Sequence, residues 1–431
     1  MFTPPDIPKK DVDRLRDLAR RVREIADLPV MEARRRMWTD VNDARPGARP
    51  PFAIETWTFS RDFWPPGLWQ CESEYARRWE GRLLGCIRHH EVIGDDQVCP
   101  RVHEIYWHAS LPPFAGHVPT TGIKDSQGVY TGYSFDHPIK DLSAAGALDI
   151  IQPCAYSVDR EGTLAELAFA RELLGDALEI RIGCGGYGFG NLSFQALRLL
   201  GTDAMFTAMM DCPDTFHRLM ALAVAESLRR ARWAEAEGLL ALNNENHCTC
   251  GTCFNYTTKL PREGHDPRRV RLRDLWLGMD AQETVGLGPA QFKEFFYPYY
   301  AEVAREYGFV YFGCCEALDP IWDSLGQLPN LRAVSVSRWA DEPKLAGLLQ
   351  GRDIVYSRKP NPNLLGVDVR LDEGAWREEI RRTLAVTVSR GIPTEFVVRD
   401  VYTLHGDLSK ASRAVALARE EIDRFYPPAG A

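Results

Sequence analysis

Two thiols, a carboxylate and an imidazole stand out in this 431-residue sequence as residues whose types and placement suit chemistry. Cys314, Cys315 and Glu316 end the apolar run near 309–315, and His405 comes soon after a second run that ends near Asp400. Thiolate, imidazole and carboxylate are the side chains zinc takes, and a catalytic zinc keeps three protein ligands with one position open. Cys315, Glu316 and His405 are therefore candidate metal ligands, and Glu316 and His405 are also candidate acid–base groups. Neighbouring residues of a strand face opposite ways, so Cys314 and Cys315 are not expected to hold one ion together. The competing reading is that both cysteines pack as small hydrophobes.

Residues 246–253 add a second group, with His247, Cys248, Cys250 and Cys253 close together. A structural zinc site draws on two separated pairs, and no second pair is obvious here. Cys250 is kept as a further candidate ligand, beside the reading that these cysteines only pack. Carboxylates also fall near the ends of apolar runs. Glu55 and Asp280 are the leading candidates for catalysis, ahead of Glu245, Glu283 and Asp400, since burial and neighbours set what such a group does. Arg181, Arg358 and Lys359 are possible partners, with Arg358 expected to anchor an anionic substrate group. Arg399 and Asp400 alternate along one run, so one of them must face inward. The aromatic stretch Trp57, Phe59, Phe63, Trp64 and Trp69 suits a flat or apolar ligand, and Trp57, Phe59 and Trp64 are expected to touch it. Tyr187, in the glycine-rich run 183–188, and Asn244 complete the expected substrate contacts; that run lacks the spacing of a dinucleotide fingerprint.

The elements that must position these groups are legible as alternating short apolar runs and helical stretches. Strands are expected near 52–56, 98–105, 178–184, 238–244, 309–315, 331–336, 353–358 and 394–400. Helices are expected over 162–175, 193–237, 289–307, 340–350, 373–390 and 408–425, from their apolar periodicity. Such alternation implies parallel pairing and right-handed crossovers, and eight strands imply a closed (β/α)8 TIM barrel of the α/β class. Ahead of it, residues 1–50 read as an N-terminal helical extension whose Leu15, Leu18, Val22 and Ile25 form one apolar stripe, followed by a Pro-rich linker at 45–51. The barrel domain is then 51–431.

Several stretches resemble the uroporphyrinogen decarboxylase superfamily, in matching order. Leu200 to Asp214 resembles the family's segment after its third strand. Asp280 to Pro289, with Phe292, Phe295, Phe296, Pro298 and Tyr299, is similar to its D-x-x-x-x-x-(I/L)-x-P-x-x-(F/Y)-x-x-F-x-x-P segment. Gly313-Cys314-Cys315-Glu316 falls where relatives carry H-x-C-G. Lys359 to Leu365 resembles G-N-x-(D/N)-P-x-x-L, and Leu404-His405-Gly406 falls where the decarboxylases have G-H-G. The sequence departs from the decarboxylases, whose R-Q-A-G-R-Y segment is absent, and from the methyltransferases, whose H-x-C histidine is replaced by Gly313. The resemblance implies a TIM barrel and an enzyme of the methyltransferase-like branch. That enzyme passes a methyl group from a small methylated donor to a thiol or to a corrinoid on a partner protein, with zinc assistance. The alternatives are a metal-free decarboxylase or lyase acting on a small carboxylated substrate, and a barrel that binds a small molecule without catalysis.

Composition sets the outer limits. A formal net charge of -8 argues against a polyanion-binding surface. No apolar run approaches the ~20 residues of a membrane span. The 11 cysteines form no compact disulfide framework and most sit singly, which suits reduced thiols and a cytoplasmic setting. A small-molecule substrate is expected, with neither nucleic acid nor membrane as partner, and a homodimer is compatible with these features.

Overall fold

A computed structural model of the chain describes residues 2–124, 126, 130–249 and 253–427. Eight parallel strands run in chain order around one interior: β1 (Phe52–Ile54), β2 (Val102–Ile105), β3 (Glu179–Ile182), β4 (Trp276–Met279), β5 (Phe309–Phe312), β6 (Leu331–Val336), β7 (Val355–Arg358) and β8 (Thr394–Val398). Six of them form one sheet in the order β1-β8-β7-β6-β5-β4, and β2 pairs with β3. Among the described residues no ladder joins β1 to β2 or β3 to β4, so the expected closed barrel is corrected to a TIM-like one open at two seams.

Polar side chains seal the strand edges at both seams. At β1, Asp96 Oδ2 accepts from the Phe52 amide at 2.9 Å and Asp95 Oδ2 accepts from the Ile54 amide at 3.0 Å. At β4, the Asn243 side chain accepts from the Trp276 amide at 2.9 Å and donates to the Trp276 carbonyl at 3.0 Å. A buried backbone group must find a partner, and here a carboxylate or an amide replaces the neighbouring strand. The strand expected at 238–244 is therefore not formed. Its apolar residues 239–242 mimic a buried strand, but the Asn243 side chain occupies the edge and 276–279 takes the fourth place.

Alternation along the strands separates two environments. Ile54, Val310, Phe312, Val334, Val336, Phe396 and Val398 face the surrounding helices. Ala53, Trp276, Phe309, Tyr311, Ala333, Val355 and Val397 share an interior cluster with Trp38 and Val41. Those two come from α2 (Pro29–Asn42), which lies under the amino ends of the strands, where Arg332 at the start of β6 donates to the Asn42 carbonyl at 2.7 Å. α1 (Lys9–Ala26) buries the expected stripe of Leu15, Leu18, Val22 and Ile25 in the cluster that holds Leu83 and Leu84 of the helix Glu74–Arg88.

The outer helices follow the expected ranges, with breaks where the sequence dictates. The stretch 193–237 divides into Leu192–Leu200, Thr202–Asp211 and Pro213–Ala236, interrupted by Gly201 at φ +80° and by Pro213. Among the described residues no helix is long and apolar enough to cross a membrane.

Candidate functional site

The inward residues change character toward the carboxyl ends of the strands. Following the apolar layer come Glu55 after β1, Glu104 on β2, Arg181 on β3, Asp280 after β4, Ser335 on β6, Ser357 and Lys359 at β7, and Arg399 after β8, while Glu395 enters the interior near the start of β8. The ends of barrel strands are where this architecture places catalytic groups.

One group gathers where β8, β1, β5 and β4 end. Arg399 Nε lies 3.1 Å from Glu55 Oε1, and the Trp57 indole donates to Glu55 Oε2 at 3.0 Å. Arg399 Nη1 lies 3.7 Å from Cys314 Sγ, and the Cys315 thiol is 3.7 Å from Asp400 Oδ2. Asp400 adopts φ +60°, an unusual conformation for a side chain other than glycine. The hydrogen bond with Cys314 holds the Cys315 thiol below its ordinary range, against the opposing effect of burial.

Carboxylates crowd the end of β4. Glu316 is almost wholly buried and accepts from the amides of Ala281 at 3.0 Å and Cys314 at 2.8 Å. Burial raises its carboxyl above the usual carboxylate range. Asp280 is pushed up to about 7, first by burial and then by the negative charges of Glu316 and Glu283. Glu283 in turn accepts from the Ser193 hydroxyl at 2.7 Å. An aspartate in this setting keeps its proton near neutral pH and can donate it.

A cavity of about 1300 Å³ runs along the open seam between β3 and β4, and its lining reaches Arg35 and Thr39 of α2. Its wall includes Glu104, Arg181, Tyr187, Asn244, His247 and Gly278. His247 Nε2 is 3.1 Å from both Glu104 oxygens, and Arg181 lies 2.9 Å from Oε1. Burial alone would raise the Glu104 carboxyl, but His247 and Arg181 outweigh it and hold the group below its ordinary value. Trp276, Leu277 and Gly278 of β4 line this cavity, and Asp280 follows two residues beyond Gly278 in the chain.

A third polar group fills the interior between β7, β8 and the segment after His247. Lys359 Nζ donates to Ser357 Oγ at 2.6 Å and approaches Cys253 Sγ at 3.1 Å, and Ser357 donates to Glu395 at 2.5 Å. Glu395 is wholly buried and raised by that burial.

Several expected site residues lie elsewhere. Phe59 is 1% exposed and packs edge-on against Phe63, so it belongs to the core rather than to a ligand surface. Trp64 packs against Phe63 and Trp69. Arg358 faces outward from β7 and is held by Glu342 at 3.0 Å and Glu379 at 2.7 Å, which corrects its expected role as an anion anchor. His405 sits on the exposed rim with Nε2 3.2 Å from the Gly366 carbonyl and 3.3 Å from that of Val367. Both Glu316 oxygens serve backbone amides. Among the described residues no three His, Cys, Asp or Glu side chains are arranged to hold a metal ion, so Cys315, Glu316 and His405 do not fit a zinc site. Cys250 lies outside the described residues.

Glu55, Asp280 and Glu316 fall among the groups at the strand ends, whereas Tyr187 and Asn244 line the cavity. Sequence reasoning missed Glu104, Ser357 and Glu395. The available signal was a carboxylate or hydroxyl at an inward position of an otherwise apolar strand, as in Thr394-Glu395-Phe396-Val397.

No family model matches the sequence, and no curated protein matches it. Among solved structures, a methyltransferase from Methanosarcina mazei is similar, with a TM-score of 0.50 and 13% identity over 90% of this chain and 98% of that one. A glycoside hydrolase family 5 mannosidase from Rhizomucor miehei, in complex with mannosyl-fructose, aligns at a TM-score of 0.29 and 9% identity, over 68% of this chain and 82% of that one. The first likeness agrees with the TIM-like fold.

Proposed function

We propose that this chain is a methyltransferase acting on a small methylated donor, with Asp280 as the acid that protonates the departing group. The observation that carries this reading is a half-buried carboxyl with a proton affinity near neutrality, at the carboxyl end of a barrel strand whose Gly278 lines a cavity of about 1300 Å³. Methyl ethers and methylamines leave poorly unless the oxygen or nitrogen is protonated as the carbon–heteroatom bond breaks, and a positioned acid contributes about 10²–10⁴-fold to such a step. In the proposed reaction a nucleophile takes the methyl group, the bonding pair stays on the heteroatom, and the Asp280 proton neutralises it. The demethylated alcohol or amine departs, and Asp280 is reprotonated from solvent.

The acceptor in this reading is a small thiol or a corrinoid carried by a partner protein, which when bound supplies a strong nucleophile for carbon. Glu55 positions Arg399 at the mouth, and burial, with the negative charges of Glu316 and Glu283, favours the protonated Asp280. The cavity holds the donor beside Tyr187, Asn244 and the Glu104–His247 pair. The likeness to a methyltransferase supports the reading only through the fold. The superfamily resemblance of the 280–299 and 313–316 segments supports it through sequence order.

The test is a chromatographic assay for demethylated product, using the purified chain, a panel of methyl ethers and methylamines, and either a thiol or free cob(I)alamin. Turnover is expected with one donor class, falling about 100-fold in Asp280→Asn. Release of carbon dioxide from a carboxylated substrate without methyl transfer would establish the lyase alternative instead. Undiminished transfer by the variant would remove Asp280 from the mechanism.

A further inference from the structure

Opposite facing of adjacent residues holds within a pleated strand, but β5 ends at Phe312. Gly313 then adopts φ +106°, in the region that favours glycine. A Cβ placed there would meet Ser335 at 3.0 Å and Leu318 at 3.1 Å, so the turn also depends on a missing side chain. The pleat is lost at this residue, and the next two side chains turn the same way. Their Sγ atoms lie 3.6 Å apart, and both residues are half-buried at the barrel mouth. Arg399 Nη1 lies 3.7 Å from Cys314 Sγ, and Asp400 Oδ2 lies 3.7 Å from Cys315 Sγ.

We propose that Cys314 and Cys315 are a redox-active dithiol that closes to a vicinal disulfide by exchange with small disulfides of the glutathione type. The Cys315 thiolate attacks one sulfur of the small disulfide, and the first small thiolate leaves with the bonding pair. Cys314 gives its proton to solvent and attacks the Cys315 sulfur of the mixed disulfide, and the second small thiolate leaves. One protein dithiol and one small disulfide become one protein disulfide and two small thiols. The hydrogen bond with Cys314 favours the Cys315 thiolate against burial and the Asp400 charge, and the Arg399 guanidinium beside Cys314 favours the thiolate of the second attack. Closure brings the sulfurs from 3.6 Å to a bonded distance of about 2 Å. It also changes the contacts of both sulfurs with Arg399 and Asp400, so oxidation alters the mouth beside Glu55. The inference stands apart from methyl transfer, since its readout needs no substrate.

The reduced full-length protein is incubated with excess oxidised glutathione, blocked with N-ethylmaleimide, digested with trypsin and weighed by mass spectrometry. The peptide 306–332 carries both cysteines and no other. The expected result is loss of two hydrogens from that peptide with no maleimide uptake, and recovery of two maleimide sites after dithiothreitol. Cys314→Ser and Cys314→Ala are each expected to stop at a glutathionyl adduct on Cys315. Two maleimides on the wild-type peptide after oxidation, or a persistent wild-type glutathionyl adduct, would overturn the proposal.

Discussion

At the scale of single residues, a carboxyl that still holds its proton near neutral pH acts as an acid where an ordinary aspartate acts as a base. Asp280 is raised to about 7, while the unfolded chain releases the same proton near pH 4. Between those values the folded state binds the extra proton, so stability from this group is full at the acidic end and is lost as pH rises through about 7. Melting temperatures from pH 4.5 to 8 are expected to fall in wild type relative to Asp280→Asn as pH rises. A constant difference between the two proteins would contradict that. Catalysis that needs the protonated form should decline above pH 7 in the wild-type rate profile. Arg358 gives the opposite kind of prediction. Its guanidinium is buried between Glu342 and Glu379, so Arg358→Met is expected to cost about 3–5 kcal/mol in a denaturant titration by leaving buried charge unpaired. A change confined to substrate KM, with stability untouched, would restore it as a substrate anchor.

At the scale of elements, the seams of the barrel depend on a few side chains that stand in for a strand. Asn243 meets both backbone groups of Trp276. Replacing it with Ala exposes a buried donor and acceptor to no partner, a cost of about 1–3 kcal/mol per group. Hydrogen exchange at the Trp276 amide is expected to quicken in Asn243→Ala, and unchanged protection there would show that another group seals β4. The same device explains one misplaced strand. Residues 239–242 carry the apolar run of a buried strand, yet the following Asn243 competes for the edge of β4. Periodicity reports which residues prefer the interior; it carries no information about which of two apolar segments wins a place in the sheet.

At the scale of the whole molecule, α2 and the barrel share one interior. Trp38 is fully buried among Ala53, Phe254 and Val397, and its indole donates to the Asp96 carbonyl at 2.8 Å. Trp38→Ala is expected to destabilise the chain by about 3–5 kcal/mol, with tertiary signals from both regions lost in one transition. Separate transitions would mean that the two segments fold independently. The sequence alone determined the alternation of strands and helices, seven of the eight barrel places, the buried stripe of α1, and the candidacy of Glu55, Asp280 and Glu316. These follow from local periodicity and from acids placed after apolar runs, which are properties of neighbours in the chain. Only the tertiary structure decided that Arg358 points outward, that Phe59 is core, that His405 turns to the Gly366 carbonyl away from the thiols, and that Glu104 meets His247 across a cavity. It alone brought the two adjacent thiols to one side, through the backbone of Gly313. Each of these rests on where a strand ends, which edge it meets and what surrounds it, and such contacts join residues that the sequence keeps far apart.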